Sequence, residues 1–367
     1  MPKWNDFGNV WATLRELDIN AIREEAERPL ALACVGHEAA VDEVDRLLHT
    51  GSARYPVGAN PLEIIPLAQA ADRSTAARSA DMLILAIDAR QTLTPAEAES
   101  FGQLEILAIP FLVVQLHGDR PPTGAASLPA PVRTRAVVIA EPAVLDAPDR
   151  LAGELLTRLP GELHLSAARR LPGLRAMFAR ELIGSVAFTN ATYSLASGLP
   201  QQIPIFSIPF AAADILVLTK NQALLVYKLA LAYGAPSDFQ ARIREVLPVI
   251  GGAFLWRQAA RSLVGLIPFW GLLPKVAVAY AGTYTTGVAA WRWYESGEIV
   301  STEQLKRIST EAMTIGRARA AEIMARARVA STTAGARVQA SGGGILSRLK
   351  RLFSRRKPPE LTPPKTD

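Results

Sequence analysis

A strand-like apolar run, LALACVG, closes at Gly36 and leads into HEAAVDEVDRLL. Loops that hold nucleotide phosphates share this outline. Their glycines let backbone amides wrap the phosphates, a lysine reaches the β and γ oxygens, and a hydroxyl binds magnesium. Counted from Gly36, this chain places Val41 where the second glycine belongs, Asp42 at the lysine and Glu43 at the hydroxyl. Two carboxylates at the phosphate end repel a polyphosphate, so a plain strand-to-helix turn is preferred to a nucleotide site. A second run, VVQLHGD, ends in Asp119, where an Asn-Lys-x-Asp motif would read guanine, but Leu116 and His117 occupy its Asn and Lys positions. No Asp-x-x-Gly follows LEIIPL. Gly36 and Asp119 are the candidate nucleotide-site positions, in degenerate form, and no catalytic residue is assigned.

Other chemistry has less support. Asp88 and Asp119 end two strand-like runs, where an open sheet forms its ligand crevice, yet acids there also build loops. His37, His49, His117 and His164 show no metal-ligand spacing, and the single cysteine, Cys34, has no partner. A metal site is therefore not expected. There is no Gly-x-Ser-x-Gly nucleophile elbow. Asp214, Asn221 and Gln222 interrupt an apolar helical stretch; Asp214 and Asn221 share a face, which predicts a structural hydrogen-bond cluster.

These residues need elements to hold them. LALACVG, LEIIPL, MLILAID, FLVVQL and AVVIA are short runs rich in branched residues, which suit strands covered on both faces. Between them EAAVDEVDRLL, PAEAESFGQLEIL and APDRLAGELLTRL read as helices, with Pro95 and Pro148 where a first turn accepts proline. This alternation predicts an α/β domain over residues 30–190, with a mostly parallel sheet and helices on both faces. DRPPTGAASLPAPVR is a long loop. Residues 1–29 hold an amphipathic helix with Phe7, Val10, Trp11, Leu14 and Leu17 on one face. Packing on the next domain is preferred for it over a membrane role, because Asp6, Glu16 and Asp18 oppose anionic lipid. Residues 191–300 are long, apolar and helical. Residues 301–340 read as a polar helix opened by a capping box from Ser301 to Gln304. Residues 341–367 form a basic, partly disordered tail.

Charge is distributed unevenly. Between Gln304 and Lys357 there are thirteen Lys and Arg against two acids, a local net of +11. The last ten residues net −1, which leaves residues 1–303 at −4 of the total +6. Such a tail seeks a polyanion. In ILSRLKRLFSRRK, Ile345, Leu346, Leu349, Leu352 and Phe353 share one helical face, and Arg348, Lys350, Arg351, Arg355, Arg356 and Lys357 supply charge beside them. That combination predicts contact with an anionic membrane surface. Nucleic acid is disfavoured, because the interleaved aromatics that stack bases are missing. A helical hairpin around Pro268–Pro274 could also enter a bilayer. Its arm Val276–Trp291 is uncharged, bounded by Lys275 and Arg292, with Ala279, Thr283 and Gly287 as a close-packing face. A hairpin buried in protein is the alternative. Lys275, Trp291 and Arg292 join the tail residues as candidate membrane contacts.

Two stretches carry a resemblance. ADILVLTKNQALLVYKLALAYG (Ala213 to Gly234) and Gly252 to Gly287, with GAFLWRQ, LVGLIPFWG and VAVAYAGTYTTG, resemble the bacterial GTPase-associated domain of unknown function number 697. The preceding strand order, the loop at Gly36 and the run ending at Asp119 look like a degenerate Ras-like GTPase domain of the Era type. The resemblance implies a Ras-like α/β domain and an all-α apolar domain; the basic helical tail that follows them is read from the charge pattern. It also implies a location at the cytoplasmic face of the cell membrane, peripheral or with a short inserted hairpin. The expected role is a non-catalytic regulatory module that needs no cofactor, with a protein partner on the α/β domain and room for self-association. The alternatives are an atypical GTP- and magnesium-binding protein and a soluble nucleic-acid binder.

Overall fold

The computed structural model describes residues 19–52, 54–55, 58–69, 78–105, 109–118, 136–198, 207–246 and 272–335. Two compact units divide the chain. Ile19–Ala179 and Ala230–Ser237 make the α/β unit; Arg180–Leu229 and the described residues from Asp238 onward make the helical unit.

In the α/β unit, β1 (Leu32–Gly36), β2 (Leu62–Pro66), β3 (Met82–Asp88), β4 (Phe111–Leu116) and β5 (Ala136–Ile139) form one sheet in the order β2-β1-β3-β4-β5. Every pairing is parallel. Each residue of β1 and β3 is buried, which explains why their sequences are continuously apolar rather than alternating. The edge strands β2 and β5 are only partly buried. Pro66 closes edge strand β2, where a missing N–H costs little.

The helices follow the patterning. Helix α1 (Asn20–Glu27) buries Ile22 and Ala26. Helix α2 (Glu38–His49) buries Ala40, Val41, Val44, Leu47 and Leu48, a stripe at helical spacing. Helix α3 (Pro95–Glu105) opens with a capping box: Glu97 Oε2 accepts from Thr94 N at 2.7 Å, and Thr94 Oγ1 accepts from Glu97 N at 3.3 Å. Helix α4 (Ala147–Arg158) carries Pro148 in its first turn and buries Leu151, Ala152, Leu155 and Leu156. Helix α5 (His164–Arg170) follows, and α6 (Arg175–Gly198) starts in this unit.

The helical unit contains the rest of α6, most of α7 (Ser207–Ala232), α8 (Phe239–Val246), α9 (Leu272–Ser296) and α10 (Thr302–Gly335). The capping box expected at the start of α10 is present. Ser301 N donates to Gln304 Oε1 at 2.8 Å, and Gln304 N donates to Ser301 Oγ at 3.2 Å. Helix α10 packs on α9, with Gly316 against Ala277 and Tyr280, and Ile308, Ala312, Ala320 and Ile323 at helical spacing along α10 are buried. A Cβ at Gly316 would lie 2.8 Å from Ala277 O, so only glycine allows this approach. Where the patterning places one domain change at residue 190, the units part inside continuous helices, after Ala179 in α6 and after Leu229 in α7.

Candidate functional site

The carboxyl ends of β1, β3 and β4 carry the residues singled out for chemistry. The sheet order makes the β1–β3 boundary a topological switch point, the usual place for a ligand crevice.

Gly36 ends β1 opposite Pro66 of β2 and Ala86 of β3. A Cβ there would lie 1.9 Å from Ala86 O, so the residue type is dictated by the approach of a neighbouring strand. One residue, His37, then separates β1 from α2. Its N donates to Ala86 O at 3.2 Å, and its carbonyl accepts from Ala40 N and Val41 N, both at 2.9 Å. Its Nδ1 accepts from Asp88 N at 3.1 Å. An amide can only donate, so the imidazole proton sits on Nε2. The spacing that suggested a phosphate loop is therefore occupied by helix. Val41 is a core residue, Asp42 is exposed on α2, and Glu43 pairs with Arg46. Wrapping phosphates takes a run of non-helical amides, and a one-residue turn does not supply it.

Asp88 is buried at the end of β3 and is held by Arg90. Arg90 Nε donates to Oδ1 at 3.0 Å, Nη2 to Oδ2 at 2.8 Å, and its main-chain N to Oδ1 at 2.9 Å. Burial pushes the carboxyl up, but the Arg90 bonds, aided by His117, outweigh it and hold Asp88 below its ordinary range. Glu97 is also held low, first by the Thr94 N–H and then by the Thr94 hydroxyl, against the cost of burial. His117 turns the chain at the end of β4 with φ 60, while its N donates to Ile139 O at 3.1 Å. His37, Asp88, Arg90, Glu97 and His117 thus gather at one end of the sheet. Of these only His37, Asp88 and His117 were weighed from sequence; the Asp-Ala-Arg at the strand end was the legible signal for Arg90. Asp119 lies outside the described residues. Among the described residues, no group of three His, Cys, Asp or Glu side chains could hold a metal ion.

Cys34 is fully buried in β1, and burial, with Asp45 adding to it, pushes its thiol far up, which makes it unreactive.

The polar cluster expected in the apolar helices is present for Asn221 and Gln222. Asn221 Nδ2 donates to Asn190 Oδ1 at 2.6 Å, and Asn190 Nδ2 to Thr283 Oγ1 at 2.8 Å. Gln222 Nε2 also reaches Thr283 Oγ1 at 3.3 Å, and Thr283 donates to Ala279 O at 2.9 Å. The Asp214 side chain lies outside the described residues. Replacing Thr283 with valine keeps the volume but leaves buried Asn190 Nδ2 without its acceptor. A loss of about 1–3 kcal/mol from the helical unit is expected, read by urea denaturation followed through the half-buried Trp291 and Trp293. An unchanged midpoint would mean the network carries no weight.

The same helix bears on the hairpin expectation. Residues 252–271 lie outside the described residues. The arm Val276–Trp291 is within α9, and its small-residue face packs on protein: Thr283 is in the network, and a Cβ at Gly287 would meet Ile183 Cγ1 at 2.7 Å and Leu225 Cδ2 at 3.1 Å. Among the described residues, no helix is long and apolar enough to cross a membrane. Trp291 and Arg292 are half-buried, and nothing of the Lys275 side chain is described. Arg348, Lys350, Arg351, Leu352, Phe353, Arg355 and Arg356 lie outside the described residues. No family model, curated protein or solved structure matches the chain.

Proposed function

We propose that this protein is a membrane-associated, non-catalytic interaction module. In this reading the α/β unit is a degenerate nucleotide-type domain that docks a protein partner. The helical part corresponds to the domain of unknown function number 697, and the basic tail meets anionic lipid at the cytoplasmic face. The observation that carries the non-catalytic reading is the one-residue turn at His37, with Gly36 pressed on Ala86 O and Glu38 heading the helix. A phosphoryl-transfer site needs positioned cations against the developing charge. At this crevice the Arg90 guanidinium is already committed to Asp88. Peripheral attachment is the favoured form, since the arm Val276–Trp291 packs on protein and the charge sits in the tail.

The test is turnover and binding by the full chain. With GTP and magnesium, no hydrolysis above buffer and no saturable binding of a fluorescent nucleotide are expected. Magnesium-dependent turnover that His37→Ala abolishes would overturn the reading. In vesicle sedimentation, anionic lipid should retain the chain and neutral lipid should not, and deletion of residues 342–367 should weaken retention. Equal binding to both vesicle types would remove the electrostatic half.

A further inference from the structure

The α/β unit is not continuous in sequence: Ala230–Ser237 returns to it from beyond the helical stretch. This segment ends α7 in a tight left-handed cap. Gly234 has φ 86, its N donates to Leu231 O at 3.0 Å, and Ala235 N donates to Ala230 O at 3.0 Å, the paired bonds of a Schellman motif. Ala230, Leu231, Ala232, Tyr233 and Ala235 are all buried.

Three arginines of the α/β unit hold it. Arg169 Nη1, from the last turn of α5, donates to Leu231 O at 2.9 Å and Ala235 O at 3.0 Å. Arg23 Nη2, from α1, donates to Ser237 O at 3.3 Å. Arg175, at the start of α6, lies over the Tyr233 ring with its guanidinium carbon 5.6 Å from the centroid. Arg175 is 1% exposed, and among the described residues it bonds main-chain carbonyls: Ala168 O, Ser52 O and Arg169 O. A guanidinium this deeply desolvated is costly unless its surroundings are complete, and the Tyr233 face is one wall of that enclosure.

We infer that Ala230–Ser237 is an obligatory strap of the α/β unit, such that α1, α5 and the start of α6 open and close with it as one cooperative element. The α/β region cut at residue 190 is therefore an incomplete folding unit. This inference is independent of the functional reading above.

Native-state hydrogen exchange on the full chain under increasing urea tests it. In the unaltered protein, the amides of 231–235 and those of α1 and α5 should merge into one opening with a common urea dependence. In Gly234→Ala, where a side chain must take φ 86, and in Arg169→Met, exchange in all three segments should rise together by about ten-fold or more. Amides of α10 should keep their rates. The inference is overturned if 231–235 opens alone, in the parent or in either variant, while α1 and α5 stay protected. Should a variant unfold outright, the urea series on the unaltered chain decides the matter by itself.

Discussion

Replacing Arg175 with methionine is expected to cost the α/β unit about 3–5 kcal/mol, because its carbonyl partners lose their donor in a dry site. The position explains how a cation survives there with no carboxylate bonded to it among the described residues. Ala168 and Arg169 are in the last turn of α5, whose carbonyls have no helical donors and carry the negative end of the helix dipole. Burial, partly opposed by Tyr233, pushes the guanidinium down to about 10, so it stays charged at neutral pH and keeps capping. Buried ion pairs can often be exchanged for apolar side chains without loss, since both charges leave together. Here the acceptors are backbone and remain. Arg175→Lys keeps the charge but cannot serve Ala168, Ser52 and Arg169 at once, so it should fall between parent and methionine. Chemical denaturation of the α/β unit is the measurement. A methionine variant within about 1 kcal/mol of the parent would refute the capping argument.

The other large effect lies at Gly36. An alanine there would place its Cβ 1.9 Å from Ala86 O and 2.7 Å from Ala86 C, and both obstacles are backbone. Strand β1 is paired on both sides, so it cannot shift without breaking a ladder. A loss of about 3 kcal/mol or more is expected. The result separates two roles for this glycine. A glycine kept for nucleotide contact would, when changed, lower affinity and leave folding intact. A glycine kept for strand approach unfolds the unit whether or not GTP is present. Gly282, where an added Cβ meets nothing within 4 Å, is the control. Its alanine variant should be slightly more stable, by about 0.5–1 kcal/mol. If Gly36→Ala melts with the parent while nucleotide binding is lost, the strand argument fails.

The contrast shows where sequence reasoning reached. The strands were legible as branched apolar runs, and MLILAID and FLVVQL coincide with β3 and β4 to the residue, because full burial leaves no polar side to alternate. Helix α2 was legible from its apolar stripe, and EAAVDEVDRLL begins where the helix does, at Glu38; what was not legible is that the loop before it is a single residue. Fixed spacing from Gly36 drew attention to Asp42 and Glu43, whereas His37 starts the helix at once through its own carbonyl. The unit boundaries were also hidden. At Ala179 and Leu229 the helices run on without a glycine, proline or cap, so no local residue marks the change. The strap was missed for a related reason. The glycine of LALAYG marks a helix end, but its grip depends on Arg169 and Arg175, and only tertiary contact shows that these arginines face inward.

The return of Ala230–Ser237 to the α/β unit has a consequence for synthesis on the ribosome. Chains emerge from the amino end at about 5–20 residues per second. When Ala179 is made, the strands of the sheet already exist but Tyr233 does not. Roughly fifty more residues, through α6 and most of α7, must be added first, a wait of roughly 3–10 s. During that interval Arg169 and Arg175 lack the Leu231 and Ala235 carbonyls and the Tyr233 ring. The nascent sheet is therefore a holding state, completed after the first helices of the following unit have been translated.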